Sequence, residues 1–196
     1  MDNLVANDGA IRLRLRPMLG SDYDVIRAIE NEPEGNAMAC AHARTDDQFA
    51  AHWRRMLEEA DTINRVIETA TRTERGAVTI WTAVGFIGSF VTDVFISSDA
   101  VDDDGAPHAS QSNRGTARRC VGYRISKDNW GKGLATRALG LFLKEIPERP
   151  LWAVTAASNT ASQRVLTKCG FQAVDRRWAE ATERYPAGDE VVARLG

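Results

Sequence analysis

The chain has 196 residues, 43% of them hydrophobic, which is enough for one sizeable core and short for two. Its formal net charge of -2 and pI near 6.0 supply no global attraction for nucleic acid or for an anionic membrane surface. Three scattered cysteines, Cys40, Cys120 and Cys169, are odd in number and fit a reducing compartment better than a disulfide framework, so the expected location is the cytoplasm.

The N-terminus carries Asp2 and Asp8 where a signal peptide would carry basic and then apolar residues. Ile11 to Arg16 alternates apolar and basic residues, the period of a half-buried strand, and Pro17 stops it. Ser21 to Asp24 caps a helix whose Val25, Ile26 and Ile29 share a face, with its end expected at Pro33 to Gly35. Thr45-Asp46-Asp47-Gln48 has capping-box spacing and opens a second helix through Phe49, Trp53, Met56 and Leu57 to about Ala60. Ile63 to Thr69 and Val78 to Val91 are rich in β-branched and aromatic residues and predict two or three antiparallel strands around a turn at Glu74-Arg75-Gly76. The apolar run from Ala77 to Val91 is broken by Thr79, Thr82, Gly85, Gly88 and Ser89, and falls short of the about 20 residues of a membrane helix.

Residues 97–116 hold four aspartates and a polar Ser-Gln-Ser-Asn run with almost nothing to bury, and read as a mobile insertion within a single domain spanning 1–196. Alternation resumes from Ala117 through Ser126; a helix follows from about Gly133 to Ile146, then an apolar strand from Leu151 to Ala156. Asn159 caps a further helix that ends at Gly170 in the C′ position, before strands at Phe171 to Trp178 and near Val191 to Leu195.

The segment Trp130-Gly131-Lys132-Gly133-Leu134-Ala135-Thr136 lies between a predicted strand and a predicted helix, where unpaired N–H groups and the helix dipole favour an anion. Gly131 and Gly133 allow close backbone approach and positive φ, and Lys132 offers a compact positive charge. A P-loop would need glycine at Ser126 and serine or threonine at Gly133, and a dinucleotide fingerprint would need glycine or alanine at Thr136. Taken alone, the two glycines fit a phosphate loop or a simple tight turn equally.

The loop is preceded by Val121-Gly122-Tyr123-Arg124-Ile125 and followed, after a strand, by Asn159-Thr160-Ala161-Ser162-Gln163-Arg164-Val165-Leu166-Thr167-Lys168-Cys169-Gly170-Phe171. This conjunction, over roughly residues 117 to 175, resembles the GNAT superfamily of N-acetyltransferases, and within it the Rim-type ribosomal-protein N-terminal acetyltransferases. The superfamily loop pattern runs Gln or Arg, two residues, Gly, one residue, Gly or Ala. Gly133 and Ala135 match it, and Trp130 stands at its first position, as the Rim-type branch tolerates.

The resemblance implies an α/β (α+β) fold: a mixed, mostly antiparallel central sheet, splayed at a V-shaped cofactor cleft and flanked by helices. It implies acetyl-CoA as acyl donor, its pyrophosphate on the amides from Gly131 to Thr136, and its pantetheine paired like an added strand with Tyr123 and Ile125. Asn159 matches the asparagine that contacts the pantetheine region, a role that can coexist with helix capping. Lys168 matches a place near the adenosine phosphate, where the helix dipole alone would also favour a lysine.

Direct attack of an amine on a thioester needs juxtaposition, charge stabilisation at the carbonyl oxygen, a proton acceptor and a proton donor to sulfur. The backbone N–H near Ile125 is the candidate for the oxygen. Many relatives place a tyrosine acid where this chain has Leu166, and Ser162 resembles the serine proposed for that role in the Rim-type branch. No acidic residue lies on the strand from Ala117 to Ser126, which leaves Asp93 and Glu180 as distant candidates for a base. Without a strong base, an α-amine of pKa about 8 is a better acceptor than a lysine of pKa about 10.4. Expected partners are therefore a peptide N-terminus or small-molecule amine, with no nucleic acid, membrane or metal, and the protein is a monomer or homodimer. A sensor that binds acyl-CoA without turnover is the alternative function.

Overall fold

The computed structural model describes residues 4–6, 11–72, 79–96 and 116–196. One sheet carries eight strands: β1 (Leu4–Ala6), β2 (Arg12–Pro17), β3 (Ile63–Arg72), β4 (Thr79–Val94), β5 (Thr116–Ile125), β6 (Leu151–Ala156), β7 (Gln172–Ala179) and β8 (Gly188–Leu195). Their order is β1-β2-β3-β4-β5-β6-β8-β7, and every neighbouring pair is antiparallel except β5 and β6. This is the mixed, mostly antiparallel sheet that the motif pattern implies. The turn expected at residues 74–76 and the insertion expected at 97–116, up to residue 115, lie outside the described residues.

Five helices flank the sheet: α1 (Tyr23–Glu30), α2 (Pro33–Met38), α3 (Asp46–Glu58), α4 (Leu134–Glu145) and α5 (Thr160–Lys168). The strand period of two divides the core between the faces. Val66 packs with Ile26 of α1 and with Phe49 and Trp53 of α3, while the next residue, Ile67, packs with Leu134, Leu139 and Phe142 of α4. Leu166 and the half-buried Val165 and Cys169 bring α5 onto the same layer as α4.

Local signals account for most boundaries. Thr45 Oγ1 accepts from the Gln48 N–H and Gln48 Oε1 from the Thr45 N–H, closing the expected capping box of α3. Gly170, at φ +91, follows the C-cap Cys169 and stops α5 as expected. Pro33 departs from expectation. The first helix already ends at Glu30, and Pro33 opens α2, because proline lacks the N–H that a first helical residue leaves unused anyway. The last strand also starts earlier than its apolar run, at Gly188, where it pairs with Ala179.

A buried charge network ties β2 and β3 to the turn before α1. The Arg16 guanidinium grips Asp22 with two bonds of 2.7 Å and donates to Glu68 at 2.8 Å, while Arg14 donates to Glu68 at 2.6 Å. Burial pushes the Asp22 carboxyl upward in pKa, but the Arg16 bonds and the Leu19 N–H at 2.8 Å outweigh it and hold it below its usual value. A pKa depressed in the folded state stabilises fully above the ordinary carboxylate range, and that contribution is lost as pH falls through the folded value. Asp22→Asn, which leaves part of a buried guanidinium uncompensated, should cost about 3 kcal/mol at neutral pH in urea unfolding. The gap to wild type should narrow below about pH 4.

Candidate active site

Pairing between β5 and β6 is confined to Cys120 and Trp152. Beyond that point the parallel strands diverge, and a cleft of about 1110 Å³ opens between them. Gly122, Tyr123 and Arg124 line it from β5, Val154 to Ala156 from β6, and Asn159 and Ser162 from the start of α5. On the other face of the sheet its wall is Glu30, Arg44 and His52.

The register of β5 on its other side decides which backbone groups face this cleft. The Ser126 N–H donates to Val84 O at 2.8 Å, one step beyond the Gly85–Ile125 pair. Antiparallel alternation then turns the N–H and C=O of Arg124 and Gly122 toward β4, and those of Tyr123 and Ile125 toward the cleft. The Trp130 indole confirms the direction by donating to Ile125 O at 2.7 Å. That bond also pins the loop after β5 to the strand.

In that loop Gly131 and Gly133 have φ of +73 and +71, the left-handed region that favours glycine, and a Cβ at either would meet nothing within 4 Å. Both glycines therefore serve backbone conformation and leave the space above the loop open. The N–H groups of Gly131, Lys132, Gly133, Leu134, Ala135 and Thr136 have no acceptor among the described residues. Leu134 is buried and anchors the first turn, whereas Gly131, Lys132 and Gly133 are exposed. The Lys132 ammonium donates to Asn129 Oδ1 at 3.2 Å, at the edge of this anion-ready cradle.

Ser162 and Tyr123 meet across the cleft, with Oγ and Oη 2.9 Å apart. Burial pushes the Tyr123 phenol up to about 12, and the Ser162 hydrogen bond pulls part of the way back. Asn159 Oδ1 accepts from the Ser162 N–H at 3.0 Å, so the oxygen caps α5, while Nδ2 has no partner among the described residues. Leu166 is a core side chain, 3% exposed, at the end of the cleft. Lys168 is exposed, and the adjacent Cys169 thiol reaches Thr136 O at 3.5 Å, which sets the end of α5 beside the first turn of α4. Asp93 and Glu180 are exposed and do not line the cleft.

The wall from the first third of the chain holds residues that local motifs did not reveal. Glu30 is buried among Arg184 at 2.8 Å, Arg44 at 3.3 Å and Arg124 at 3.7 Å. Burial, with the Arg44 charge adding to it and Glu30 opposing, lowers the His52 imidazole to about 4. His52 is thus a neutral ring in the cleft wall and a weak proton acceptor at neutral pH. The only local sign of this cluster is Arg124, a charge on a strand position that alternation turns toward the α1 layer.

The family profile described as the acetyltransferase (GNAT) domain matches residues 12–172. The chain belongs to the GNAT acetyltransferase family. As a member it is an N-acetyltransferase that takes its acetyl group from acetyl-CoA and passes it to an amine. No curated protein sequence matches it. Among solved structures, a Vibrio cholerae spermidine N-acetyltransferase in complex with CoA and spermine is 12% identical with a TM-score of 0.64, covering 93% of this chain and 94% of that one. Mycobacterium smegmatis RimJ in complex with CoA-disulfide is 17% identical with a TM-score of 0.61, covering 94% and 81%. The aminoglycoside acetyltransferase AAC(6')-Ib in complex with ribostamycin and coenzyme A is 16% identical with a TM-score of 0.59, covering 93% and 92%. At these identities the likeness establishes the GNAT fold and leaves the acceptor open.

His52 offers a readout of the cleft electrostatics. In an NMR titration of this GNAT enzyme its Cε1 resonance should hold the neutral position from pH 8 to about 5 and move with a midpoint of about 4. Arg44→Gln, which removes a charge that lowers it, should raise that midpoint.

Proposed function

We propose that the enzyme acetylates a small-molecule amine or peptide N-terminus by direct attack in a ternary complex, with the donor laid along the cleft edge of β5. One observation carries this reading: six amides from Gly131 to Thr136 with no acceptor among the described residues continue from the cleft-facing edge of Tyr123 and Ile125, which no described strand pairs. An extended anion-bearing thioester fits both surfaces, with pyrophosphate on the amides and an amide-containing arm on the strand. Lys132 and Lys168 flank the phosphate end, and Asn159 Nδ2 faces the arm. Bound there, acetyl-CoA supplies an activated acyl carbon.

The chain's own groups do the rest. The Ile125 N–H faces the place where negative charge builds on the carbonyl oxygen, and a fixed dipole there stabilises the transition state. Ser162, hydrogen-bonded to Tyr123, supplies the proton that the departing sulfur takes up. Leu166 cannot do so, which leaves this hydroxyl pair as the proton source nearest that wall. The cleft-lining carboxylates Glu30, Asp189 and Glu190 are each held by an arginine and Glu59 stands exposed at the rim, so the amine arrives already neutral or loses its proton to water. Free, unbridged cysteines suit a cytoplasmic enzyme, and we read the whole chain as one domain.

Calorimetric titration with acetyl-CoA should show micromolar binding that Gly133→Trp weakens at least tenfold, since a side chain at φ +71 is strained and lies in the cradle. A folded wild type that binds no acetyl-CoA would sink the assignment. Ser162→Ala should lower kcat at least tenfold in a thiol-release assay and leave the acetyl-CoA affinity unchanged. Binding without thiol release against any amine would favour a sensor over an enzyme.

A further inference from the structure

The acceptor side of the cleft carries more positive charge than its own structure uses. Arg44, Arg124 and Arg184 have side chains 16%, 12% and 10% exposed, and the one carboxylate among them is Glu30. Arg124 also donates to Glu30 O at 2.9 Å and Asn36 Oδ1 at 3.0 Å, and Arg184 to Asn36 Oδ1 at 3.1 Å. Even so, Nε and Nη1 of Arg184 and Nδ2 of Asn36 are buried without any acceptor among the described residues. Of the Arg44 guanidinium, which lines the cleft, only Nε has an acceptor among the described residues.

The other charges lining the cleft are paired or lie at its exposed rim. Arg176 pairs with Asp189 at 3.0 Å, Glu190 is held by Arg177 at 2.8 Å, and Arg55 and Glu59 are exposed. His52 is neutral and adds no counter-charge. Three guanidiniums against one carboxylate leave two buried positive charges at the wall, a costly arrangement unless something else shares them. Gly35 in α2 makes room for the Arg124 guanidinium itself, since a Cβ there would sit 3.2 Å from its Nη1.

We infer that the acceptor amine carries an oxyanion, a carboxylate or a similar acidic group, which the cluster led by Arg44 and Arg124 binds. Planar guanidinium forks match such a group in charge and geometry. The same charges disfavour a second cation nearby, so they press the bound ammonium toward its neutral, nucleophilic form. An acidic amine therefore needs less help from a protein base, and the buried carboxylate of this wall, Glu30, is already held by arginines. Polycationic amines are repelled from the same wall. This inference rests on the N-acetyltransferase reading and narrows its acceptor.

The test compares wild-type thiol release from acetyl-CoA with a pool of α-amino acids, with the matching amino acid amides, and with spermidine. The amides present the more readily deprotonated amine, so a preference for the acids reports recognition of the carboxylate. We expect kcat/KM for the acids to exceed that for the amides at least tenfold, with spermidine below both. Raised salt should erode the advantage. Arg44→Gln should raise KM for the acids about tenfold, leave KM for the amides and the calorimetric acetyl-CoA affinity within twofold, and move the acid limb of the pH profile upward. Amides or spermidine matching the acids would overturn the inference, as would equal damage to acids and amides in Arg44→Gln. So would a wild type that binds acetyl-CoA and turns over none of the three. Failure to bind acetyl-CoA would instead remove the donor assignment beneath it. The wild-type comparison stands whether or not the variant folds.

Discussion

One interrupted strand pairing organises this molecule. The other neighbouring strands pair over runs of several residues, with a register shift only in β3–β4 and β7–β8, but β5 and β6 meet only at Cys120 and Trp152. A backbone edge inside a protein must find partners, and each hydrogen bond it makes is worth on the order of 1 kcal/mol net. The gap leaves the edge of β5 exposed to whatever enters the cleft, and every other part of the site is placed relative to that edge.

The parts converge because short covalent distances keep them together. Ile125 ends β5, and Trp130 reaches back to its carbonyl, so strand edge and phosphate-type loop form one continuous unit. Gly133 then starts α4, whose buried Leu134, Leu139 and Phe142 fix the helix against the sheet. Across the gap, β6 leads within a few residues to Asn159 and Ser162. The hydrogen bond between Ser162 and Tyr123 is the bridge between the two diverging sides. Charge enters from the opposite face, through Arg124, whose neighbours Tyr123 and Ile125 face the other way.

The donor half of the cleft was legible in the letters because its parts are local. Strand, glycine loop and helix start occupy adjacent positions from 121 to 136, and their conjunction with the segment from Asn159 separates a phosphate loop from a simple tight turn. The cap of α5 at Asn159 and the stop at Gly170 were legible for the same reason. Pro33 is ambiguous in the letters because proline both ends and begins helices, and only the packing of its surroundings decides which. The acceptor half was closed to such reading: Glu30, Arg44, Arg124 and Arg184 come from four distant segments, and no spacing links them. Nor could periodicity show that Tyr123 and Ser162 touch, since that contact depends on how far the two strands splay.

Glu30 draws in a partner 154 positions away, and loop-closure entropy makes such contacts slow to form. The hairpin that carries Arg184 must dock against α1 and the segment between α2 and α3, where the His42 N–H donates to Arg184 O at 2.8 Å, before these charges can share their carboxylate. Until then the N-terminal helices hold an acid with incomplete compensation. Completion of the acceptor wall thus depends on closing a loop that spans most of the chain, while the donor loop is built from neighbouring residues.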